Sequence, residues 1–421
     1  MSLDVHALRA QFPALNQIVA HGGKLPVFFD NPAGTQVPQR VIDAVVDYYQ
    51  HMNANSGGMF ATSHRSDAMV ERVRQQMADF LNAPSPDEIV FGPNMTTLNF
   101  ALSRALGQTL KPDDEIVLTR MDHDANVQPW RRIAEDHGLV VRWADLVEPE
   151  CRLDLDSLEA ALTDKTRIVA TVHASNAVGT VNPVQQIADM AHAAGAVYVV
   201  DAVQSAPHVP IDVQAIGCDF LLCSAYKFYG PHIGILWGRY DLLAELPVYK
   251  VRPAKDKPPH RWETGTASFE TIAGVGATLD YIAAIGRDYG AEYQPRYAGF
   301  NGNALDLKTG MAALGAYERE LATHLIEMLQ SIPGVQIAGI TDPAAFAERV
   351  PTVVFVRDGF TADAIAEYLA KNDIYVWSGN YYAVEIMERL GHADDGMVRV
   401  GLAHYNTHAE IERLEAALRR M

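Results

Sequence analysis

A single lysine, Lys227, stands just beyond an apolar run in the stretch "LLCSAYKFYGPHIGILWG", residues 221–238. An amine at the end of a buried strand is costly unless the protein uses it, because burial disfavours the charged ammonium. Asp201 ends a second apolar run, "AVYVVDA", upstream of the lysine. A lysine can bond covalently to an aldehyde, and a carboxylate can keep a ring nitrogen protonated. The two residues together indicate a site for an aldehyde cofactor.

Other predicted strands also end in polar residues, and these are His123, Asn176, Gln204 and Ser224. The turn "FGPNMTTLN" brings Met95 and Thr96 to the start of a predicted helix, where backbone N–H groups favour a phosphate. Taken singly, each residue has an ordinary explanation, such as a turn cap or a structural histidine. A lysine, a carboxylate and a phosphate-binding turn together are what pyridoxal 5'-phosphate requires. The set therefore predicts that cofactor.

Short β-rich runs alternate with helical patterns through the first two thirds of the chain. Predicted strands include "DEIVF", "EIVLT", "TRIVATVHA", "AVYVVDA", "DFLLCSA" and "IGILWG". Helices such as residues 183–195 lie between several of them, with Pro183 near the start and Gly195 at the end. This alternation predicts an α/β fold with a mostly parallel sheet between helices. Ligand-binding residues of such sheets collect beyond the carboxyl ends of the strands.

The pattern changes after about residue 286. A long helical stretch is predicted near 305–332, and shorter strands and helices follow it to the C-terminus. We therefore expect a large cofactor-binding domain over 24–286 and a smaller α/β domain formed by 1–23 and 287–421. The segment 249–262, "YKVRPAKDKPPHRW", is basic and proline-rich, so it is expected to be a long surface loop with or without a role at a site or interface.

Composition excludes several kinds of partner. The 34 basic and 52 acidic side chains leave a net charge of -18, which disfavours nucleic acid and anionic membrane surfaces. No run approaches the ~20 apolar residues of a membrane span, and "MSLDVHALRAQFPALN" is not typical of a signal peptide. The three cysteines, Cys151, Cys218 and Cys223, suit a reducing compartment and supply no metal cluster. We expect a cytoplasmic protein without a bound metal.

Several spaced motifs resemble one protein family over nearly the whole chain. They are "FFDNPAGTQVP", "SNAVGTVNPV", "VDAVQSAPH", "SAYKFYGPHIGILWG", "ETGTAS" and "RVGLAHYNTHAEIERL". Their order and spacing resemble the class V aminotransferase family of pyridoxal phosphate enzymes, and most of all its cysteine desulfurase and selenocysteine lyase branch. The resemblance implies the fold type I scaffold, an α-amino acid substrate and a homodimer.

The resemblance also implies a role for each candidate residue. Lys227 would carry the cofactor and then move the Cα proton of the substrate. Asp201 would keep the pyridine nitrogen protonated, and His123 would stack on the ring. The remaining cofactor contacts would be Asn176 and Gln204 at the ring 3-oxygen, Met95, Thr96 and Ser224 at the phosphate, Tyr226 where the family commonly has a histidine, and Thr266 at the phosphate of the neighbouring subunit. Arg399 would bind the substrate α-carboxylate through two hydrogen bonds.

The sequence departs from the desulfurase pattern at one position that matters. Desulfurases carry a nucleophilic cysteine in a loop before the carboxylate-binding arginine, and here the matching position is Tyr382 or an immediate neighbour. No cysteine follows Cys223, and Cys223 is expected to point away from the site that Ser224 faces. A phenol cannot form a persulfide. Tyr382, Tyr381 or His64 could instead line the substrate pocket or protonate a leaving group.

Three functions remain open from the sequence. The first is a lyase that cleaves a carbon–sulfur or carbon–selenium bond by β-elimination, without a persulfide cysteine. The second is an aminotransferase or epimerase, which would use the same deprotonated Cα. The third is a non-catalytic descendant of the fold, which the joint presence of Lys227, Asp201, His123 and Arg399 disfavours.

Overall fold

The computed structural model describes residues 3–17 and 25–421. Its strands are β1 (Val27–Phe28), β2 (Ile89–Gly92), β3 (Glu115–Thr119), β4 (Val140–Ala144), β5 (Leu146–Val147), β6 (Arg152–Leu153), β7 (Thr166–Val172), β8 (Val197–Asp201), β9 (Phe220–Ser224), β10 (Gly234–Gly238), β11 (Val335–Ala338), β12 (Thr352–Arg357), β13 (Ile374–Tyr375), β14 (Trp377–Gly379) and β15 (Met397–Gly401). Its helices are α1 (Val5–Arg9), α2 (Gln39–His51), α3 (Ala61–Leu81), α4 (Met95–Gly107), α5 (Gln128–His137), α6 (Leu155–Ala161), α7 (Val184–Ala193), α8 (Val213–Ile216), α9 (Tyr240–Glu245), α10 (Phe269–Tyr289), α11 (Gly302–Gln330), α12 (Ala362–Ala370), α13 (Val384–Arg389) and α14 (His408–Leu418).

A seven-stranded sheet, here called the central sheet, has the order β2-β10-β9-β8-β7-β3-β4. All neighbouring strands from β9 to β4 are parallel, and only β10 runs antiparallel to its two neighbours. The predicted mostly parallel α/β sheet is therefore confirmed. Because the strands are parallel, β3, β7, β8 and β9 end at one edge and bring their following residues together.

Helices cover both faces of the central sheet, which explains why its strands read as continuous apolar runs. Successive residues of β8 alternate between the two faces: Val199 packs in a core with α4 and α5, and Val200 packs in the larger core that includes α3 and α10. If polar and apolar residues alternated along these strands, one face of the central sheet would be exposed to water. The sheet is thus a rigid platform for the residues beyond its strand ends.

A smaller antiparallel sheet, here called the C-terminal sheet, has the order β11-β12-β15-β14 and its own apolar core. Helix α11 belongs to both cores, since Leu314 packs with the central sheet and Leu321 with the C-terminal sheet. Near the N-terminus, Phe12 packs in the central core, whereas Val27 in β1 pairs with Ile374 in β13. The domain division at 24 and 286 itself stays a prediction.

None of the helices in the described ranges is both long and apolar enough to cross a membrane. The same ranges contain no group of three or more histidine, cysteine or acidic side chains placed to hold a metal ion. The predicted surface loop at 249–262 contains no regular helix or strand. Tyr249 in this loop is 71% exposed, whereas Trp262 is buried and its indole N–H donates to the Leu243 carbonyl at 2.9 Å.

Candidate active site

A cavity opens at the carboxyl edge of the central sheet, where β3, β7, β8 and β9 end. It encloses about 500 Å³ of empty space, part of it open to solvent. The predicted residues that line it are Met95, Thr96, His123, Asn176, Asp201, Gln204, Ser224, Tyr226 and Lys227. Residues that are distant in sequence but follow neighbouring parallel strands therefore converge on one space.

Lys227 lies in a short turn directly after β9, and its side chain is half-buried. Its Nζ donates to the backbone carbonyl of Pro32. Burial, together with the positive charge of Arg399, lowers the pKa of Lys227 to about 7, although Asp30 and Asp201 oppose the shift. An amine with such a pKa is partly neutral near pH 7, which is the form that attacks a carbonyl or accepts a proton.

Asp201 is the last residue of β8 and is buried at the floor of the cavity. Its Oδ1 accepts from the backbone N–H of Val203 at 2.9 Å. Burial raises the pKa of Asp201 to about 6, although that hydrogen bond and the charge of Lys227 favour the ionised form. A carboxyl with this pKa readily holds a proton between itself and a nitrogen base. A pyridinium N–H is such a partner.

His123 follows β3 and presents its ring to the cavity while its Nδ1 accepts from the backbone N–H of Ala125 at 3.0 Å. Burial lowers the pKa of His123 to about 4, with smaller contributions from Lys227 and Arg399, so the ring is neutral near pH 7. A neutral, fixed imidazole suits stacking against an aromatic ring better than a hydrated cation would.

The turn before α4 supplies backbone donors at the other end of the cavity. Asn94 caps the helix through its side chain, which accepts from Thr97 N at 2.8 Å. The Met95 N–H donates to Ser224 Oγ at 3.2 Å, so the β9 end and the helix N-terminus are adjacent. Helix N-termini attract phosphate groups because their N–H groups are unpaired and their dipoles are positive.

Four buried amide oxygens in the described residues have no hydrogen-bond partner, and the two that line the cavity are Asn176 Oδ1 and Gln204 Oε1. Asn176 Nδ2 donates to the Tyr381 carbonyl at 3.0 Å, and Gln204 Nε2 donates to Thr352 Oγ1 at 3.2 Å, which leaves the oxygen and the second N–H of each amide unused. Unpaired buried acceptors are costly, and here both residues line the same cavity. The residues present therefore fit a polar aromatic cofactor with a phosphate.

Arg399 lies on β15 and is buried against the Tyr381 ring, with its guanidinium carbon 4.4 Å from the ring centroid. Its Nη2 donates to Asp30 Oδ1 at 3.2 Å and its Nη1 to the Asn176 carbonyl at 3.1 Å. Its Nε is buried without a partner among the described residues. An unused guanidinium donor beside the cavity is suited to a carboxylate.

Tyr382 lies at the mouth of this region rather than inside it. Its side chain is 71% exposed, and its ring stacks on His123 with centroids 5.6 Å apart. Tyr381 and Tyr382 both have φ near 56°, a left-handed conformation that is uncommon for bulky residues. The backbone N–H of Asp124 donates to the Tyr382 carbonyl at 2.7 Å and helps to hold this loop. Strain of this kind often accompanies functional loops.

Three predicted residues lie at the edge of the cavity or away from it. Tyr226 lines the cavity and stacks on His232, with centroids 5.0 Å apart. Thr266 lines a different, larger cleft that also contains Tyr249 and Arg104. His64 is exposed on α3 and does not line the cavity of this single chain. The roles assigned to Thr266 and His64 stay predictions.

Sequence reasoning missed Asp30 and the Pro32 carbonyl, which contact Arg399 and Lys227. Both belong to the motif "FFDNPAGTQVP". The signal available in the sequence was therefore the acidic residue and the Pro-Ala-Gly stretch of this motif. It also missed Asp122, whose pKa is raised to about 8 by burial, against hydrogen bonds from Thr119 and Asn126. A neutral carboxyl at Asp122 would add no second negative charge next to Asp201.

None of the three cysteines is among the cavity residues of the described chain. Ser224 faces the cavity, and its neighbour Cys223 packs into the large core instead, as strand alternation predicts. Burial raises the pKa of the Cys223 thiol and also that of Cys218. Cys151 is buried near the C-terminal sheet region, where Gly339 N donates to the neighbouring Pro149 carbonyl.

Comparisons with known proteins agree with this geometry. The family model "Aminotransferase class-V" matches residues 27–299 and 295–414. A cysteine desulfurase of Pectobacterium atrosepticum is 33% identical over 436 residues, which cover all of this chain and 98% of the relative. A cysteine desulfurase of Synechococcus elongatus is 35% identical over all of this chain, which spans only 64% of that relative. An aminotransferase-like protein of Gibberella zeae is 34% identical over 427 residues, which cover 99% of this chain and 98% of the relative.

Solved structures show the same fold. The structure of an apo cysteine desulfurase from Thermococcus onnurineus matches with a TM-score of 0.86 at 27% identity, covering all of this chain and 98% of the other. The Escherichia coli cysteine desulfurase CsdA matches with a TM-score of 0.83 at 26% identity over the same shares. The chain belongs to the class V aminotransferase family, in its cysteine desulfurase-like branch, and is a pyridoxal-phosphate-dependent enzyme with the fold type I scaffold.

Proposed function

We propose that this enzyme cleaves a carbon–sulfur or carbon–selenium bond at Cβ of an α-amino acid, and that it does so without forming a persulfide on one of its cysteines. The carrying observation is that the cavity combines Lys227, Asp201 and His123 but contains no thiol among the described residues. For cysteine, the net reaction is β-elimination: cysteine and water yield pyruvate, ammonia and hydrogen sulfide.

Within this proposal, bound pyridoxal phosphate supplies an electron sink for the pair released at Cα. Lys227 holds the cofactor and then accepts the Cα proton on Nζ, for which its lowered pKa is suitable. Asp201 accepts a hydrogen bond from the protonated ring nitrogen, and His123 packs on the ring face. Asn176 and Gln204 direct their side-chain amides to the ring oxygen.

At the far end of the cavity, the phosphate would be held by the backbone N–H groups of Met95 and Thr96 and by the Ser224 hydroxyl. Tyr226 stands where the family commonly has histidine, and its hydroxyl can still donate a hydrogen bond. Thr266 would reach the cofactor phosphate of a second copy, which makes the proposed assembly a homodimer. Its position in a separate open cleft, away from its own chain's cavity, supports that assignment.

Arg399 would bind the α-carboxylate of the substrate. Its unpaired buried Nε and its position against Tyr381 support this role. Asp30 would hold the guanidinium in place through Nη2 and the Asn176 carbonyl through Nη1, leaving Nε for the substrate. Tyr382, Tyr381 and His64 are the candidates for the acid that protonates the leaving sulfur or selenium, and Tyr382 has the most exposed hydroxyl-bearing ring near His123.

An aminotransferase is the second candidate, favoured by the name of the similar Gibberella zeae protein. An aminotransferase would share the deprotonation at Cα, but its product would be the keto acid of the substrate, with no sulfur or selenium released. Epimerisation would return the proton to Cα from the other face. These alternatives use the same Lys227 and Arg399, so only the products separate them. The proposed location is the cytoplasm.

The test is a product analysis on the purified holoenzyme with cysteine, selenocysteine and alanine as single substrates. In the absence of any added thiol acceptor, we expect pyruvate and ammonia in equal amounts from cysteine and selenocysteine, with sulfide from cysteine, and no pyruvate from alanine, which has no leaving group at Cβ. Replacing all three cysteines by alanine or serine is the matched control and is expected to leave the sulfide yield unchanged. Accumulation of pyridoxamine phosphate without sulfide would instead establish the aminotransferase.

A further inference from the structure

A second cleft lies where α11 passes from the central core to the C-terminal core. Its walls come from His208 after β8, from the 3₁₀ segment 291–297, from the middle of α11 and from the segment 346–351 before β12. Its cavity volume is about 160 Å³, which restricts any ligand to a small molecule.

Three arginines line this cleft, Arg296, Arg319 and Arg349. None of them forms an ion pair with a carboxylate within the described parts of the chain, although the chain carries a net charge of -18. The carboxylate that lines the cleft, Glu318, already accepts from His208 Nδ1 at 2.7 Å and from the Tyr229 hydroxyl at 3.3 Å. The cleft is therefore a concentrated positive site on an acidic protein.

Arg349 makes this positive charge unusual because its guanidinium is buried. Its Nη2 donates to the Thr352 carbonyl at 2.6 Å, and its Nη1 donates to the Ile340 carbonyl. Neutral carbonyls satisfy the hydrogen-bonding needs of a guanidinium but do not neutralise its charge. Burial lowers the pKa of Arg349 to about 10, so the residue stays charged near pH 7. An anion in the cleft would supply the missing negative charge.

The remaining lining is aromatic and apolar. Tyr293 and Tyr297 are half-buried in the 3₁₀ segment, and Met311 and Phe346 are buried beside them. One further carboxylate, Glu292, interacts with the Tyr293 hydroxyl, whose pKa is raised chiefly by burial. A ligand that fits both kinds of lining has an anionic group for the arginines and a flat apolar body for the tyrosines.

We propose that this cleft binds a small organic anion with a phosphate or carboxylate group on an aromatic body. The site is separate from the candidate active site and does not depend on which reaction the enzyme catalyses. Thr352 connects the two sites. Its carbonyl accepts a hydrogen bond from Arg349 in the cleft, and its hydroxyl accepts one from Gln204 in the candidate active site. Binding is therefore to be measured on the holoenzyme, in which the first site is filled.

Phenyl phosphate is the probe, titrated into the holoenzyme in a calorimeter. We expect one binding event per chain that weakens about tenfold in Arg296→Ala and again in Arg319→Ala, since each change removes a charge-assisted hydrogen bond. Both side chains are exposed, so these variants are expected to unfold at the temperature of the parent. Benzyl alcohol, which lacks the charge, is expected not to bind.

The matched control is Arg104→Ala, which removes an arginine from the larger cleft that contains Thr266. It is expected to leave the affinity for phenyl phosphate unchanged. The proposal is overturned if the parent holoenzyme does not bind phenyl phosphate, or if the Arg296→Ala, Arg319→Ala double variant binds it as tightly as the parent does. It is equally overturned if only Arg104→Ala weakens binding, because the ligand would then occupy the other cleft.

Discussion

Lys227 and Lys308 are two lysines in very different surroundings. Burial lowers the pKa of Lys227 to about 7 and that of Lys308 to about 8. Lys308, on α11, donates to the carbonyls of Phe80 and Ile211, and it is only 2% exposed. Lys227 donates to one carbonyl and faces a cavity. Burial and a lowered pKa are therefore common to a structural lysine and a candidate catalytic one.

The difference lies in the polar groups that remain unused around each amine. The Lys227 cavity includes the unpaired oxygens of Asn176 and Gln204, and the unpaired Nε of Arg399 lies beside it. Lys308 instead bridges two backbone carbonyls from separate segments. Unpaired buried polar atoms cost free energy unless a ligand satisfies them. Lys227 therefore differs from Lys308 in its neighbours rather than in its own titration.

The largest expected effect that tests this comparison is Lys227→Ala. We expect turnover to fall by about 10⁴-fold or more, because the variant loses both the cofactor linkage and the base at Cα. The visible absorbance of the borohydride-reducible cofactor bond should also disappear. Lys308→Met is the matched control, and its folded fraction is expected to retain that absorbance. Native turnover in Lys227→Ala would refute the catalytic assignment.

Lys308 is expected to affect stability instead, in a way that depends on pH. Its folded pKa of about 8 lies below the ordinary value of 10.5, so the unfolded chain binds more protons between these pH values. Its contribution to stability therefore rises by about 3 kcal/mol between pH 8 and 10.5 and is lost as pH falls to 8. Denaturant unfolding across that range measures the rise, which Lys308→Met should abolish. An identical pH profile in both proteins would contradict this.

Arg399→Ala tests the substrate end of the cavity. We expect kcat/KM to fall about thirtyfold for amino acids, since a charged hydrogen-bonding partner of the α-carboxylate is lost. Amines without a carboxylate should lose no activity by this change. Arg389→Ala, which removes an exposed ion pair with Asp145, is the control. Equal losses for amines and amino acids would contradict a carboxylate-binding role.

Thr352→Val is expected to have the smallest effect. It removes the hydroxyl that accepts from Gln204 Nε2 and leaves the Thr352 carbonyl with Arg349 intact. We expect about fivefold weaker binding of the cofactor, which corresponds to one neutral hydrogen bond. Equilibrium dialysis of the cofactor measures this, with Thr323→Val on the exposed face of α11 as the control. Unchanged affinity would mean that Gln204 does not need Thr352 to be positioned.

Much of the central sheet could be predicted from the chain itself. The run "EIVLT" was predicted as a strand, and β3 spans those five residues. The helix predicted from about 97 to 106 is α4, which begins two residues earlier because Asn94 caps it. Buried parallel strands leave continuous apolar runs, and their ends leave polar residues, so both signals are local.

The contacts that complete the site could not be predicted in this way. Asp30 and Arg399 are 369 positions apart, and Lys227 and Pro32 are 195 positions apart. The local sequence of β15 does not predict which residue contacts Arg399. Likewise, the left-handed backbone occurs at Tyr381 and Tyr382, where no glycine in the sequence indicates such a conformation.

The alternating elements, the cofactor and the lysine proposed to carry it could all be predicted from the sequence, because strand periodicity and residue type are properties of short segments. The unpaired acceptors around that lysine, and the meeting of Arg296, Arg319 and Arg349 in one cleft, become visible only in the folded chain. Burial, pKa and charge at a site depend on segments that meet only after folding, so no short segment reveals them.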